Sequence, residues 1–178
     1  MAELWFIRHF RTPWNSQGRL QGQRDISLDD PLGPADLATL EANRQALSGR
    51  DFGLVLTSPL VRARQTAALH GFSDATVEPD LAELAFGKWE GRTWAELEAA
   101  HPGAWKNSLH SLPLGESLAD FTDRIDRVRN RVQTTTPGIV LAFGHGAWLG
   151  GLKLLLEGRK GGMPPQILAN GALVRLHL

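Results

Sequence analysis

Apolar residues follow two rhythms along this chain of 178 residues. Unbroken runs at Leu4-Trp5-Phe6-Ile7, Phe52-Gly53-Leu54-Val55-Leu56 and Ile139-Val140-Leu141-Ala142-Phe143 have the length and composition of strands buried on both faces. Thr76-Val77-Glu78 reads as a shorter strand, and Ala172 to Leu178 as the last one. Between the runs the apolar spacing changes to three and four. Leu118, Phe121, Ile125, Val128 and Val132 make the clearest stripe, with Asp residues and Arg124, Arg127, Arg129 and Arg131 read as a solvated opposite face. A helix opened by Gly33-Pro34 runs through Gly49 with Leu37, Leu40 and Leu47 on one face. Ser58 reads as the N-cap and Pro59 as the first residue of a helix that Gly71 closes. Thr12-Pro13 caps a short turn, Trp94 to Ala100 is a further helix, and residues 101–115 form an irregular, Trp-containing connector. A helix from about Ala147 to Glu157 and a Gly- and Pro-rich loop through Pro165 precede the final strand. Strands alternating with helices predict one three-layer α/β domain over residues 1–178.

The chemistry lies where strands end. Arg8-His9 follows the first apolar run and His145-Gly146 follows the run that ends at Gly144. Ligands of open α/β sheets bind beyond the carboxyl ends of the strands, so cations and imidazoles there point to an anion. Arg62 and Arg64 sit near a helix start, where the dipole disfavours cations. A bound anion accounts for Arg62, since a helix N-terminus is a phosphate seat and a guanidinium adds a bidentate fork. Arg64 reads as solvated.

Composition narrows the classes. Lysine plus arginine and aspartate plus glutamate both number 19, so the formal net charge is zero and a nucleic-acid partner is disfavoured. The absence of cysteine excludes a thiol nucleophile and a zinc-thiolate site. No stretch has the apolar length of a membrane span or a signal peptide, and the reading is a cytoplasmic, soluble protein. The chain has neither a His-Glu-x-x-His pattern nor a calcium-type aspartate loop, so no metal or cofactor is called for.

If Arg8, His9, Arg62 and His145 converge, a phosphoryl group sits among fixed positive charge, which is the main requirement for its transfer. One imidazole would attack phosphorus. Glu83, in a loop with Phe86, Gly87 and Trp89, is the candidate acid for the leaving alkoxide, its apolar walls keeping a carboxyl protonated. Taken alone, Glu83 reads as a solvated loop residue. His70, His101, His110 and His177 receive no role.

Five ordered motifs carry a specific resemblance. Arg8-His9-x-x-Thr12-x-Trp14-Asn15, Ser58-Pro59-Leu60-x-Arg62-Ala63-x-Gln65-Thr66-Ala67, Glu83-x-x-x-Gly87-x-Trp89-Glu90-Gly91, Gly115-Glu116-Ser117 and Gly144-His145-Gly146 resemble those of the histidine phosphatase superfamily, in its phosphoglycerate-mutase-like branch. The resemblance implies a mixed, mostly parallel central sheet with helices on both faces. It also implies His9 as the phosphorylated nucleophile, Glu83 as proton donor, and Arg8, Arg62 and His145 around the phosphoryl oxygens. Asn15, Gln21 and Gly22 would line the phosphate and substrate side.

Two departures stand out. Phe10 occupies the position after the nucleophile that is usually glycine, where its ring would lie near the pocket mouth and either narrow the substrate site or impair the enzyme. Retention of every charged residue favours the first. Leu32-Gly33 and Asp36 replace the usual cap and later glycine of the next helix, and Gly33-Pro34 can compensate. Mutases of the branch carry a large insertion after the acid and a closing tail. Here only 33 positions separate Glu83 from Glu116 (116 − 83), and the chain ends in a strand. Hydrolysis of a small-metabolite phosphomonoester is therefore expected. Mutase chemistry and, because of Phe10, non-catalytic phospho-ligand binding are the alternatives. The substrate's identity and the oligomeric state are not legible.

Overall fold

The structure is a computed structural model that describes residues 2–135, 138–159, 162–164 and 167–178. Five strands form one sheet: β1 (Glu3–Arg8), β2 (Leu54–Thr57), β3 (Thr76–Val77), β4 (Ile139–Gly144) and β5 (Leu173–His177), in the order β3-β2-β4-β1-β5. Only β5 runs antiparallel, against β1; the other pairings are parallel. The sheet is thus mixed and mostly parallel, as expected.

Alternation along the central strands divides the core into layers. Leu4, Phe6, Leu56, Val140 and Ala142 meet α6 (Leu118–Thr134) and α7 (Gly146–Leu156) through Phe121, Ile125, Val128, Trp148 and Leu152. Trp5, Ile7, Leu141 and Phe143 point the other way, toward Leu47 of α2 (Pro34–Leu47) and Ala67 of α3 (Val61–Leu69). Full burial of Leu4, Phe6, Ile7, Val140 and Phe143 stabilises the two central strands by roughly 1.5–3 kcal/mol for each side chain. It also fixes the register Arg8↔Gly144, which sets the two strand ends level. Short helices α1 (Pro13–Ser16), α4 (Trp94–Ala100) and α5 (Ala104–Asn107) lie at this end of the chain's loops. Of the predicted Gly- and Pro-rich loop, Lys160, Gly161 and Pro165 fall outside the described residues.

Several local expectations change. The buried face of α2 is centred on Asp36, Leu40, Asn43 and Leu47, so Leu37 stands at its edge and is 52% exposed. Helix α3 begins at Val61 with Leu60 as N-cap, not at Ser58-Pro59; the Ser58 hydroxyl accepts from the Leu60 N–H at 3.3 Å and also meets His145. The connector after His101 contains α5 and a 3₁₀ turn at Leu109–Ser111 instead of being irregular throughout.

The arginine face of α6 was only partly solvated. Arg127, Arg129 and Arg131 pair near the surface with Asp80, Asp126 and Glu78. Arg124 is buried: three residues after Phe121 and four before Val128, it belongs to the apolar stripe by position. Its guanidinium binds Glu116 twice, Nε to Oε2 at 3.0 Å and Nη2 to Oε1 at 2.7 Å, and donates to the carbonyls of Asp80 and Glu83, both at 3.0 Å. Glu116 Oε1 also accepts from the Ala85 N–H at 2.8 Å. An ion pair between α6 and the residue before its N-cap thereby holds the segment 80–85. Arg124→Met leaves Glu116 half-buried without its partner, and urea unfolding is expected to show a loss of about 3–5 kcal/mol. Adding Glu116→Gln should recover part of it; a loss below about 1 kcal/mol would mean that the pair is no strut.

Candidate active site

The carboxyl end of β1 presents Arg8 and then His9, that of β4 presents His145, and the first turn of α3 presents Arg62. These ends converge. The His9 and His145 rings lie 5.3 Å apart between centroids. Arg8, His9, Asn15, Gln21, Gly22, Arg62 and Glu83 line one cleft. All eight side chains or backbone positions singled out from sequence are therefore gathered at one place, His145 directly behind His9.

Each member is fixed by a specific contact. His9 Nδ1 lies 2.6 Å from its neighbour's carbonyl, Phe10 O, which can only accept; Nδ1 therefore carries the proton and Nε2 a free lone pair. Arg62 donates from Nη1 to Arg24 O and from Nη2 to Gly22 O, both at 2.7 Å. Arg8 donates from Nη1 to Leu168 O. The Arg8 side chain also packs close to α7, where a Cβ at Gly146 would stand 2.6 Å from Ile167 Cγ2 and 3.2 Å from Arg8 Cζ. Arg8 Nε, Arg62 Nε and His145 Nδ1 are buried with no hydrogen-bond partner. Three unanswered polar groups beside one cleft are what a phosphoryl group would satisfy. Asn15 completes a capping box with Thr12 on α1, and Gln21 Oε1 accepts from the Thr12 hydroxyl at 2.9 Å.

Burial and charge act together on the imidazoles. The pKa of His9 is pushed well below its ordinary value, first by desolvation and then by Arg62 and Arg8. That of His145 falls likewise, through burial and then Arg62, His9 and Arg8. Arg62 drops to about 10, mainly by burial, with Glu83 opposing. Arg8 is lowered by the same burial, again against Glu83. Two neutral histidines thus stand beside two charged guanidinium groups.

Glu83 departs from its expected setting. Its carboxyl is enclosed by hydrogen-bond donors rather than apolar walls: Oε2 accepts from Ala147 N at 3.0 Å and Oε1 from Trp148 N at 2.9 Å and Leu84 N at 3.0 Å. It caps the N-terminus of α7, one residue beyond His145. Ser58, read as a helix cap, instead lies with its hydroxyl 2.7 Å from His145 Nε2.

Phe10 also differs from expectation. Its ring is wholly buried on the α2/α3 side with Leu28 and Leu40, and it stacks on His70 at 5.6 Å with the planes 3° apart. It does not line the cleft, so it neither narrows the substrate site nor obstructs it. Its N–H donates to Thr66 Oγ1 at 3.1 Å, which helps to seat the nearby His9. His70, given no role from sequence, is a core residue: Nδ1 bonds Thr66 O at 2.7 Å and Nε2 faces Asn43 Nδ2 at 3.2 Å.

Sequence reasoning missed Arg124, Ser58 and an aromatic wall of Phe86, Trp94 and Trp105 that lines the same cleft. The helical position of Arg124 within the stripe was a usable signal; nothing in the connector's pattern announced the wall. Among the described residues no group of three or more His, Asp or Glu stands together as a metal site. No helix there is long and apolar enough to cross a membrane.

Fold and site together define a three-layer α/β protein with a cationic, histidine-bearing cleft at the carboxyl ends of its parallel strands. The chain belongs to the histidine phosphatase superfamily (branch 1), whose sequence profile matches residues 4–178. It is 35% identical over 133 residues to a glucosyl-3-phosphoglycerate phosphatase of Mycolicibacterium vanbaalenii, covering 70% of this chain and 56% of the relative. It is also 35% identical over 133 residues to the adenosylcobalamin/alpha-ribazole phosphatase of Escherichia coli, covering 70% and 63%. The chain thus spans about three fifths of these curated relatives. A solved mycobacterial glucosyl-3-phosphoglycerate phosphatase in complex with VO3 superposes with a TM-score of 0.81 at 28% identity, covering 99% of this chain and 93% of that one.

Neutral buried histidines set the sign of the pH response. Their pKa is lowered in the folded state, so below the unfolded value of about 6.5 the unfolded chain binds more protons. Stability is full above that pH and falls as pH drops, by up to about 1.4 kcal/mol per pH unit for each such histidine. Denaturation at pH 7, 6 and 5 tests this; a flat profile would show ordinary titration. Phe10→Ala is expected to cost about 3–5 kcal/mol in the same assay, as for a fully buried ring.

Proposed function

We propose that this chain, residues 1–178 acting as one domain, is a phosphoric monoester hydrolase that works through a phosphohistidine. The supporting observation is the pairing of a neutral His9, its Nε2 lone pair free, with unpartnered guanidinium N–H groups of Arg8 and Arg62 in one cleft.

His9 Nε2 attacks phosphorus as the P–O bond to the alcohol breaks, and Glu83, which must enter this step in its acid form, gives its proton to the departing oxygen. Water then attacks phosphorus, the P–N bond breaks, and Glu83 takes the water's proton back. Arg8 and Arg62 hold the phosphoryl oxygens throughout with fixed charge, which acts most strongly in a buried site, and neutral His145 adds a hydrogen bond. Asn15, Gln21 and Gly22 shape the approach. The cationic grip of Arg8 and Arg62 lets the scheme run without a metal. The substrate is a small phosphorylated metabolite, met in the cytoplasm, with no nucleic-acid or membrane partner. The binder alternative loses its ground because Phe10 faces away from the cleft.

The test is release of inorganic phosphate from a panel of esters in excess chelator. His9→Ala should abolish turnover, and an acid-labile, base-stable phosphoryl group should be trapped on the parent after rapid quenching and not on the variant. Turnover that persists in His9→Ala would refute the scheme. Because His9 must be neutral to attack, the acid limb of kcat/KM should have its midpoint below 6.5. Arg62→Gln removes a charge that lowers the His9 value, so that limb should move to higher pH while kcat/KM falls by about 100-fold or more.

A further inference from the structure

We infer that the cleft selects phosphomonoesters whose alcohol presents a ring or similar flat apolar face and carries no positive charge, an inference that rests on the phosphatase reading of the same site. The cleft has two faces. One, the floor, is buried and polar: His9 is 3% exposed, Arg62 1% and Glu83 8%. Beside it the lining is apolar, with Leu20, Phe86 and Trp105 equally buried and Trp94, 37% exposed, at the opening. A phosphoryl group on the floor therefore directs its alcohol along this wall.

The wall is built to keep its shape. Trp94 meets Trp105 at 4.9 Å and 68° and Phe86 at 5.8 Å and 83°, which fixes the plane of its indole. Its backbone N–H donates to Gly18 O at 3.0 Å, Arg19 pairs with Thr93, and Thr93 and Glu96 form a capping box at the start of α4. A half-exposed indole held in one plane beside a buried cationic floor is a stacking surface, and aromatic residues supply such contact at little entropic cost.

Charge narrows the class further. Apart from the floor, the only charged side chain of the lining is Arg19, held by Gly91 O at 2.6 Å and Gln17 Oε1 at 2.8 Å. The one carboxylate of the lining, Glu83, is turned to the backbone of α7. An ammonium on the alcohol would meet Arg19 and the guanidinium groups of Arg8 and Arg62, while Glu83, the one acidic group of the lining, is already engaged by three N–H donors. Phosphoserine-like esters are disfavoured on this ground, while neutral or anionic ring-bearing alcohols fit.

Phenylphosphonate and methylphosphonate are unreactive probes of the two parts of the site. By calorimetry, phenylphosphonate should bind the parent at least about tenfold more tightly than methylphosphonate. That ratio should fall towards one in Trp94→Ala and be largely kept in Trp94→Phe. In turnover, phenyl phosphate should exceed O-phosphoserine in kcat/KM by tenfold or more. Equal affinity for the two phosphonates, a ratio unmoved in Trp94→Ala, or preferred turnover of O-phosphoserine would each overturn the inference. Absence of turnover on every ester would instead sink the phosphatase reading, and the phosphonate ratio would still decide whether the wall selects.

Discussion

The Glu83 carboxyl at the N-terminus of α7 is the contact on which the site depends. Helix starts leave N–H groups without partners, and here a side chain from a distant loop supplies the acceptor for Ala147 and Trp148. The arrangement binds three parts at once. It stops α7 immediately after His145, so that the imidazole is held at the strand end. It places a negative charge among Arg8, Arg62 and two histidines, where it opposes the loss of charge that burial imposes on both arginines. And it connects the loop to α6, since the Glu83 carbonyl accepts from Arg124. Backbone and side chain of one residue are thus clamped from two helices on the same side of the sheet.

That clamp matters because the cleft gathers like charge in a dry place. Two guanidinium groups near each other disfavour the folded state, and the protein offsets this by anchoring both to backbone carbonyls and by keeping both imidazoles neutral. Anchoring leaves part of each fork unanswered, and a neutral imidazole keeps its lone pair. The features that hold the site together are the ones that prepare it for an anion. Stability for this is drawn from the central strands, whose side chains are almost all fully buried.

The parts legible in the sequence were those set by short-range pattern. Apolar runs located β1, β2 and β4, and Arg8, His9, Arg62 and His145 were recognisable because a strand end or helix start is a position as well as a composition. What pattern did not reveal depends on long-range partners. Arg124 looked like one more charge on an arginine-rich face, and only Glu116 and the carbonyls of the 80–85 segment explain its burial. Ser58 fits a helix cap by type and accepts from the Leu60 N–H, yet its shorter contact is with His145, 87 positions away. Phe10 was misplaced for a related reason: the sequence gives its size, while the direction of its ring is decided by His70, Leu28 and Leu40 and by Gly171, whose missing side chain leaves the ring its space.

A division of labour follows from where each part of the cleft originates. The floor comes from strand ends and the first turn of α3, whose positions are dictated by the sheet register and can shift little without exposing the core. The aromatic wall comes from the loop after Glu83 and from the short helices α4 and α5, which pack against the core through Phe86, Leu97 and Trp105 and meet the loop before them at a bridge between Arg19 and Thr93. None of its residues belongs to the strands whose register aligns His9 and His145. A fold built this way separates the chemistry of phosphoryl transfer from recognition of the alcohol. The same separation explains why the floor could be read from ordered motifs and the wall could not: one is set by strand ends, the other by how loops and short helices pack against the core.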